Sequence, residues 1–414
     1  MTDARLTRRV ALAVLVAALG YFVDIYDLVL FSILRVPSLR GIGVSPEAVT
    51  STGALLLNVQ LAGMIVGGVA LGVLGDRRGR LTVVFGSILL YSFANLANAF
   101  VDSVWQYAVL RGLAGFGLAG ELGAGITLVS ELLPARRRGL GTTVVASVGL
   151  TGALFAGALT QWLLRTYGAS GWRVAYGLGG AMGLVLLALR VGVLESGLFE
   201  RAKGDDVRRG ELGLLLRPAE RLGRFARVIL VGTPIWFVGG VMFVFAPEIG
   251  GALGLSSRPT GGGTIFWAYL GVVFGDIASG LLSQRLQSRR RVIAGFLALL
   301  VAAVAAVLTQ GGRSLAVFYG LMCAVGFATG YWVLFVTTAS EQFGTNLRAT
   351  VTTSAPNFVR GMAIPVTTLW FALKPSMGVV PATAAVGALC VVAALAALAG
   401  MPESYGRDLD WYER

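Results

Sequence analysis

Two apolar runs, Leu55–Leu74 and Leu81–Phe100, meet at a charged turn, Gly72-Val73-Leu74-Gly75-Asp76-Arg77-Arg78-Gly79-Arg80. A helix rises about 1.5 Å per residue, so runs of about twenty apolar residues match the ~30 Å of bilayer hydrocarbon. The turn between them belongs at a membrane surface, because arginine is costly in hydrocarbon. Arg77, Arg78 and Arg80 lie close together, and the positive-inside tendency puts such a cluster on the cytoplasmic face.

The same window applied along the chain predicts spans at 10–34, 51–74, 81–100, 104–133, 139–164, 172–194, 226–250, 263–286, 292–310, 314–340, 347–373 and 378–400. The expected fold is therefore an all-α membrane protein of twelve transmembrane helices. Alternation puts about 24 of the 34 Lys and Arg on the side of Arg77 and about seven opposite, which predicts that both termini are cytoplasmic. Only 13% of residues are charged, about half the fraction expected of a soluble domain. The formal charge of +13 is spread in short clusters between apolar runs, which argues for topology rather than nucleic-acid binding. Residues 10–34 are too long for a signal-peptide core and are read as a retained first span.

The one long polar segment, Glu195–Arg227, divides the spans six and six. The expected organisation is an N-terminal six-helix bundle at 1–194, a cytoplasmic linker at 195–225, and a C-terminal bundle with a short tail at 226–414. Internal repetition supports two pseudo-symmetric halves. Glu131, Arg138, Thr142 and Thr143 recur as Glu341, Arg348, Thr352 and Thr353, and the opening turn has a weaker echo in Gly280–Arg285, where Gln284 replaces the acid.

The motifs now in view resemble the major facilitator superfamily. Gly72-x-x-x-Asp76-Arg77-x-Gly79-Arg80 is similar to its loop motif between helices two and three, and Arg111-x-x-x-Gly115-x-Gly117 to its fourth-helix motif. Asp24-Ile25-Tyr26-Asp27, Gly120-Glu121-x-Gly123-Ala124 and Glu131-x-x-Pro134-x-x-x-Arg138-Gly139 resemble the metabolite:proton symporter and sugar porter families within it. The resemblance implies secondary active transport by alternating access. It also implies a coupling pair of first-helix acid and fourth-helix arginine, and a cytoplasmic gate lock at Asp76, Arg77, Arg80, Glu131, Arg138, Glu341 and Arg348.

Charges inside spans are functional candidates, since each costs several kcal/mol unless paired or wetted. Asp27 and Arg111 both lie roughly 10 Å below the outer surface, deep enough to pair, and are assigned to proton coupling with Asp24 and Glu121. The competing role for the pair is a static bridge. The chain has no histidine, so proton chemistry near neutral pH falls to buried carboxylates. Arg360 and Asp276, both near the midplane, are the candidate substrate contacts. Arg360 offers a planar fork for a carboxylate, with Tyr26, Tyr331, Trp332 and Trp236 as aromatic walls.

Cys323 and Cys390 sit within apolar runs and indicate neither a disulfide framework nor a metal site. No cofactor is expected, and no nucleophile–base set suggests an enzyme. The expected partners are a small organic solute, best fitted by an anion or carboxylate, protons with sodium left open, and the lipid of a bacterial inner membrane, with the chain a monomer. A facilitator or exporter of the same fold, and a transporter-like receptor, are the alternatives.

Overall fold

A computed structural model describes residues 2–78, 80–120, 135–194, 219–312 and 314–406. Within helices, the side chains at 2–13, 72–73, 75–78, 80–82, 84, 135–144, 191–194, 345–346, 348–349 and 353 lie outside the description. Every regular element among the described residues is a helix, as hydrocarbon demands of a chain whose backbone groups must bond within their own segment.

The N-terminal half comprises α1 (Thr2–Gly41), α2 (Val49–Arg78), α3 (Arg80–Asn98), α4 (Val104–Leu118), α5 (Ala135–Tyr167) and α6 (Gly171–Leu194). The C-terminal half begins with α7 (Ala219–Phe237), which runs on into a π-helical turn at Val238–Phe243, and a short helix at Ala246–Ala252. It continues with α8 (Gly261–Leu286) and α9 (Arg289–Leu308). α10 is split into Leu315–Thr329 and Trp332–Glu341, α11 into Thr345–Gly361 and Ala363–Met377, and α12 is Val379–Ala399. Among the described residues eight stretches are long and apolar enough to cross a membrane, one of them, Val145–Arg190, running from α5 into α6. The protein is an integral, multi-pass membrane protein.

The packing repeats when six is added to each label. In the first half α1 packs on α5, α2 on α4, and α3 on α4 and α6; in the second α7 packs on α11, α8 on α10, and α9 on α10 and α12. The halves meet through α2 against α11 and α5 against α8, a pair of contacts that the same operation interchanges. Small residues allow these approaches, as expected where lipid supplies no hydrophobic drive between helices. A Cβ built at Gly157 of α5 would stand 2.8 Å from the carbonyl oxygen of Gly262 on α8, so the two backbones touch.

Three local features differ from the sequence expectation. α1 does not stop at residue 34: it carries Pro37 and ends at Gly41, which brings Arg35 inside the helix. α7 starts at Ala219, so the last residues of the segment expected as linker are helical. α10 and α11, each expected as one continuous span, are interrupted. In α11 the interruption at Met362 has a plain cause: Pro365 offers no N–H to the carbonyl of Gly361, four residues earlier. In α10 the interruption falls at Gly330 and Tyr331, where a Cβ on Gly330 would lie 2.4 Å from the backbone of Gly275 in α8.

Candidate functional site

A central cavity of about 70 Å³ lies between the halves. Its walls come from α1 (Tyr21, Ile25, Leu28), α2 (Leu57, Gln60, Leu61), α5 (Leu150), α7 and its π turn (Trp236, Gly240, Phe243), α8 (Ile265, Tyr269), α10 (Thr329, Trp332) and α11 (Arg360). Pro234 helps shape the α7 wall. It withholds a donor from the carbonyl of Leu230, and the π turn that follows widens the helix where Gly239 and Gly240 face the cavity.

Arg360 is the one Lys or Arg among the described residues lining this cavity, and it is only 4% exposed. Its guanidinium lies over the Trp332 ring, 5.8 Å from the centroid, and donates through Nη1 to Oδ1 of Asn357 at 3.3 Å. Asn357 in turn donates to the carbonyl of Ala119 at 3.1 Å, tying α11 to the end of α4 across the two halves. Nε of Arg360 is buried with no hydrogen-bond partner in the structure, and so is Nε1 of Trp236. Two donors thus lie beside an apolar, aromatic-lined space. Tyr21, Asp24 and Tyr269 are near enough to bear on the charge of Arg360, and Tyr21 also accepts a hydrogen bond from Trp332. A bound carboxylate would meet a planar cation here, with indole rings positioned to pack on its carbon skeleton.

Of the other residues expected at the substrate site, Trp236 and Trp332 line the cavity, whereas Tyr26, Tyr331 and Asp276 do not. Tyr26 of α1 is fully buried and donates its hydroxyl to the carbonyl of Ala175 on α6 at 3.0 Å. Tyr331 donates to the carbonyl of Val231 on α7 at 3.1 Å. Asp276 serves the backbone instead, accepting the N–H of Val333 at 3.1 Å and that of Trp332. The second segment of α10 starts at Trp332 and has no cap from its own preceding residue, so the Asp276 carboxylate from α8 supplies one. The structure thus shows Asp276 as a helix cap outside the cavity lining, where spacing suggested a substrate contact.

Asp27 and Arg111 stand away from the cavity, inside the first half. Both act electrostatically on Tyr176 of α6, over whose ring the Arg111 guanidinium lies at 5.0 Å, while Arg111 also donates to Asn95 on α3. The Tyr176 and Tyr107 hydroxyls are 2.6 Å apart, and Tyr107 donates onward to Ser38 at 3.0 Å. Asp24, one turn before Asp27, is the acid nearer to Arg360 in electrostatic terms.

Of the residues expected in gating, the side chains of Asp76, Arg77, Arg80, Arg138 and Arg348 lie outside the described residues, as does all of Glu131; so does Glu121 of the coupling group. Glu341 is described, and its partner is Arg289 at the start of α9. Nη2 reaches Oε1 at 3.1 Å and Nε reaches Oε2 at 3.3 Å, a two-point bridge within the second half. Ser404 adds a third donor to Glu341 at 2.7 Å.

Sequence reasoning missed Tyr21, Gln60, Tyr269 and Asn357 around the cavity, and Arg35 with Glu248 beside it. Tyr21 precedes Asp24 by three residues and Asn357 precedes Arg360 by three, a spacing that shares a helix face and was available as a signal. Gln60 and Tyr269 gave none.

Two bundles of membrane-crossing helices around a central polar-tipped cavity define a membrane transporter. The Major Facilitator Superfamily profile matches residues 10–368, and the chain belongs to that family. It is 27% identical over 403 residues to a probable 4-methylmuconolactone transporter of Cupriavidus pinatubonensis, covering 94% of this chain and 89% of that one. It is 26% identical over 368 residues to the niacin transporter NiaP of Acinetobacter baylyi, covering 81% and 80%. The fold matches the inward-open xylose transporter XylE of E. coli with TM-score 0.72 at 18% identity, over 96% of this chain and 97% of that one. A sugar-bound structure of the same proton:xylose symporter matches with TM-score 0.69 at 18% identity, over 98% of each chain.

Proposed function

We propose that this protein is a proton-coupled symporter of small aromatic or unsaturated carboxylates. The observation that carries the reading is Arg360: a buried guanidinium, one nitrogen of it unbonded, at the wall of an apolar cavity with Trp236 and Trp332. Relatives named for the transport of 4-methylmuconolactone and niacin favour the same class of cargo. At about 70 Å³ the cavity is smaller than the ~150 Å³ space that takes a benzene ring, so an aromatic cargo requires the walls to separate. Such separation is what rocking of the halves about the α2–α11 and α5–α8 contacts would provide.

Coupling follows from Asp24. While charged, Asp24 helps balance Arg360, and an arriving carboxylate competes with it for the same cation. A proton on Asp24 removes that competitor, so anion and proton load together. Asp27 and Arg111, both of which act electrostatically on Tyr176, form a second polar group in the same half that adjusts α1 against α4 and α6. The working orientation has both termini in the cytoplasm of a bacterial inner membrane, with the halves dividing within 195–225 and a monomer as the transporting unit.

The experiment is equilibrium binding of nicotinate, benzoate and 4-hydroxybenzoate to purified protein. A charge-assisted hydrogen bond contributes about 1.5–3 kcal/mol and each 1.4 kcal/mol is tenfold, so Arg360→Gln should weaken binding by about a hundredfold. Arg360→Lys, which keeps charge but loses the fork, should weaken it by about tenfold. Binding within twofold of the parent in Arg360→Gln would remove Arg360 from the site.

A further inference from the structure

A second cavity, of about 800 Å³, opens at the face reached by the C-terminal end of α1, and shares Ser32 and Val244 with the central cavity. Among the described residues four arginines line it: Arg35, Arg40, Arg165 and Arg258. Glu248, from the short helix after α7, is the one carboxylate among the described residues in its wall. The space is therefore strongly cationic and concave, a shape that concentrates anions.

Arg35 sits at its floor and is only 1% exposed. Its Nη2 crosses from the first half to the second, reaching Oε2 of Glu248 at 2.8 Å and the carbonyl of Val244 at 3.1 Å, and Thr50 of α2 donates to the other Glu248 oxygen at 2.9 Å. These contacts tie the two halves together beside Val244, which lines both cavities. The tie is incompletely bonded: a guanidinium has five N–H donors, yet Nε and Nη1 of Arg35 are buried without a hydrogen-bond partner in the structure. The face of Phe245, 4.7 Å from the guanidinium carbon, offsets only part of that cost. A fork with two unbonded nitrogens, three N–H groups in all, held on one tooth by Glu248, is poised to take a planar carboxylate instead.

We infer that the cavity beneath Arg40, Arg165 and Arg258 is a carboxylate-binding subsite separate from the Arg360 site, and that an organic anion bound there displaces Glu248 from Arg35. The exchange breaks one of the bonds joining the halves, so occupation of the subsite and release of that tie are one event. The inference rests on the anionic-cargo reading above, and its test is arranged so that the two fail separately.

Benzoate binding is measured by titration calorimetry in an Arg360→Gln background, which removes the central site. Residual, salt-sensitive benzoate binding is expected. Adding Glu248→Gln, which weakens the internal competitor but keeps a hydrogen-bond acceptor, should tighten it at least fivefold, the low end of ordinary coupling between sites. Adding Arg35→Gln should weaken it at least tenfold, with Arg35→Lys restoring part of the loss. Unchanged affinity in the Glu248→Gln double variant overturns the exchange. Undiminished affinity in the Arg35→Gln double variant overturns the subsite. If Arg35→Gln does not fold, the Glu248→Gln result alone decides. Equal binding by the parent and by Arg360→Gln would instead refute the central-site reading and leave the vestibule to be judged by these variants.

Discussion

Replacing Asp276 separates the two roles that a buried carboxylate in α8 can have. In the structure it is 8% exposed and receives the N–H groups of Trp332 and Val333, the first two residues of a helical segment that begins in mid-membrane. Losing a capping side chain costs about 0.5–2 kcal/mol, and a buried N–H left without an acceptor costs about 1–3 kcal/mol. The two costs overlap, so Asp276→Ala should raise the free energy of the capped segment by about 3 kcal/mol, while Asp276→Asn, whose amide oxygen still accepts, should cost about 1 kcal/mol. The effect is local, which makes hydrogen exchange read by mass spectrometry the right assay. At tenfold per 1.4 kcal/mol, amides of residues 332 and 333 should exchange about a hundredfold faster in Asp276→Ala and within about tenfold of the parent in Asp276→Asn. Benzoate binding by Asp276→Asn should stay within threefold of the parent. Protection unchanged in Asp276→Ala, or binding abolished in Asp276→Asn with protection intact, would refute the capping argument and restore Asp276 as a substrate contact.

Two further outcomes follow from packing and from the tail. Burial by itself would raise the Glu403 carboxyl, but donors from Ser288, Arg289, Tyr405 and Arg290 outweigh it and hold the group below the usual glutamate range. A depressed folded value stabilises above the unfolded value and fades as pH falls through the folded one. Thermal-shift curves should therefore show Glu403→Gln less stable than the parent at pH 7, by about 1 kcal/mol as for a lost helix cap, with the gap closing as the pH is lowered past the carboxylate range. At the α5–α8 contact, Gly157→Val forces side-chain atoms against the backbone of Gly262 and the Phe266 side chain, so benzoate uptake should fall more than tenfold while benzoate binding persists. Equal uptake by this variant would show that the halves need not close there.

The sequence made the spans, the halves and their common pattern legible because bilayer thickness and the avoidance of buried charge act on composition alone. What it hid was depth and direction. Arg35 follows an apolar run and reads as its polar flank, yet α1 continues past it and delivers the guanidinium to Glu248 of the other half. Spacing puts Asp276 and Arg360 at one depth, but the interruption of α10 creates N–H groups that claim Asp276, and no periodicity announces that interruption. Tyr26 and Asp24 are two residues apart and so face different ways, one toward Ala175 and the other toward the charge of Arg360. Glu341 and Arg348 coincide with the repeat of Glu131 and Arg138, yet the described partner of Glu341 is Arg289, brought near by the tight turn from α8 into α9 at Gln287.

Uptake of labelled benzoate, nicotinate or 4-hydroxybenzoate into proteoliposomes under an imposed pH gradient tests the central claim most directly. With the lumen alkaline, at least one of these acids should accumulate above its equilibrium level, an accumulation abolished by a protonophore, and Asp24→Asn should equilibrate the acid without concentrating it. Accumulation that ignores the pH gradient and follows sodium, or flux unchanged by both gradients and by Asp24→Asn, would contradict proton coupling through this site.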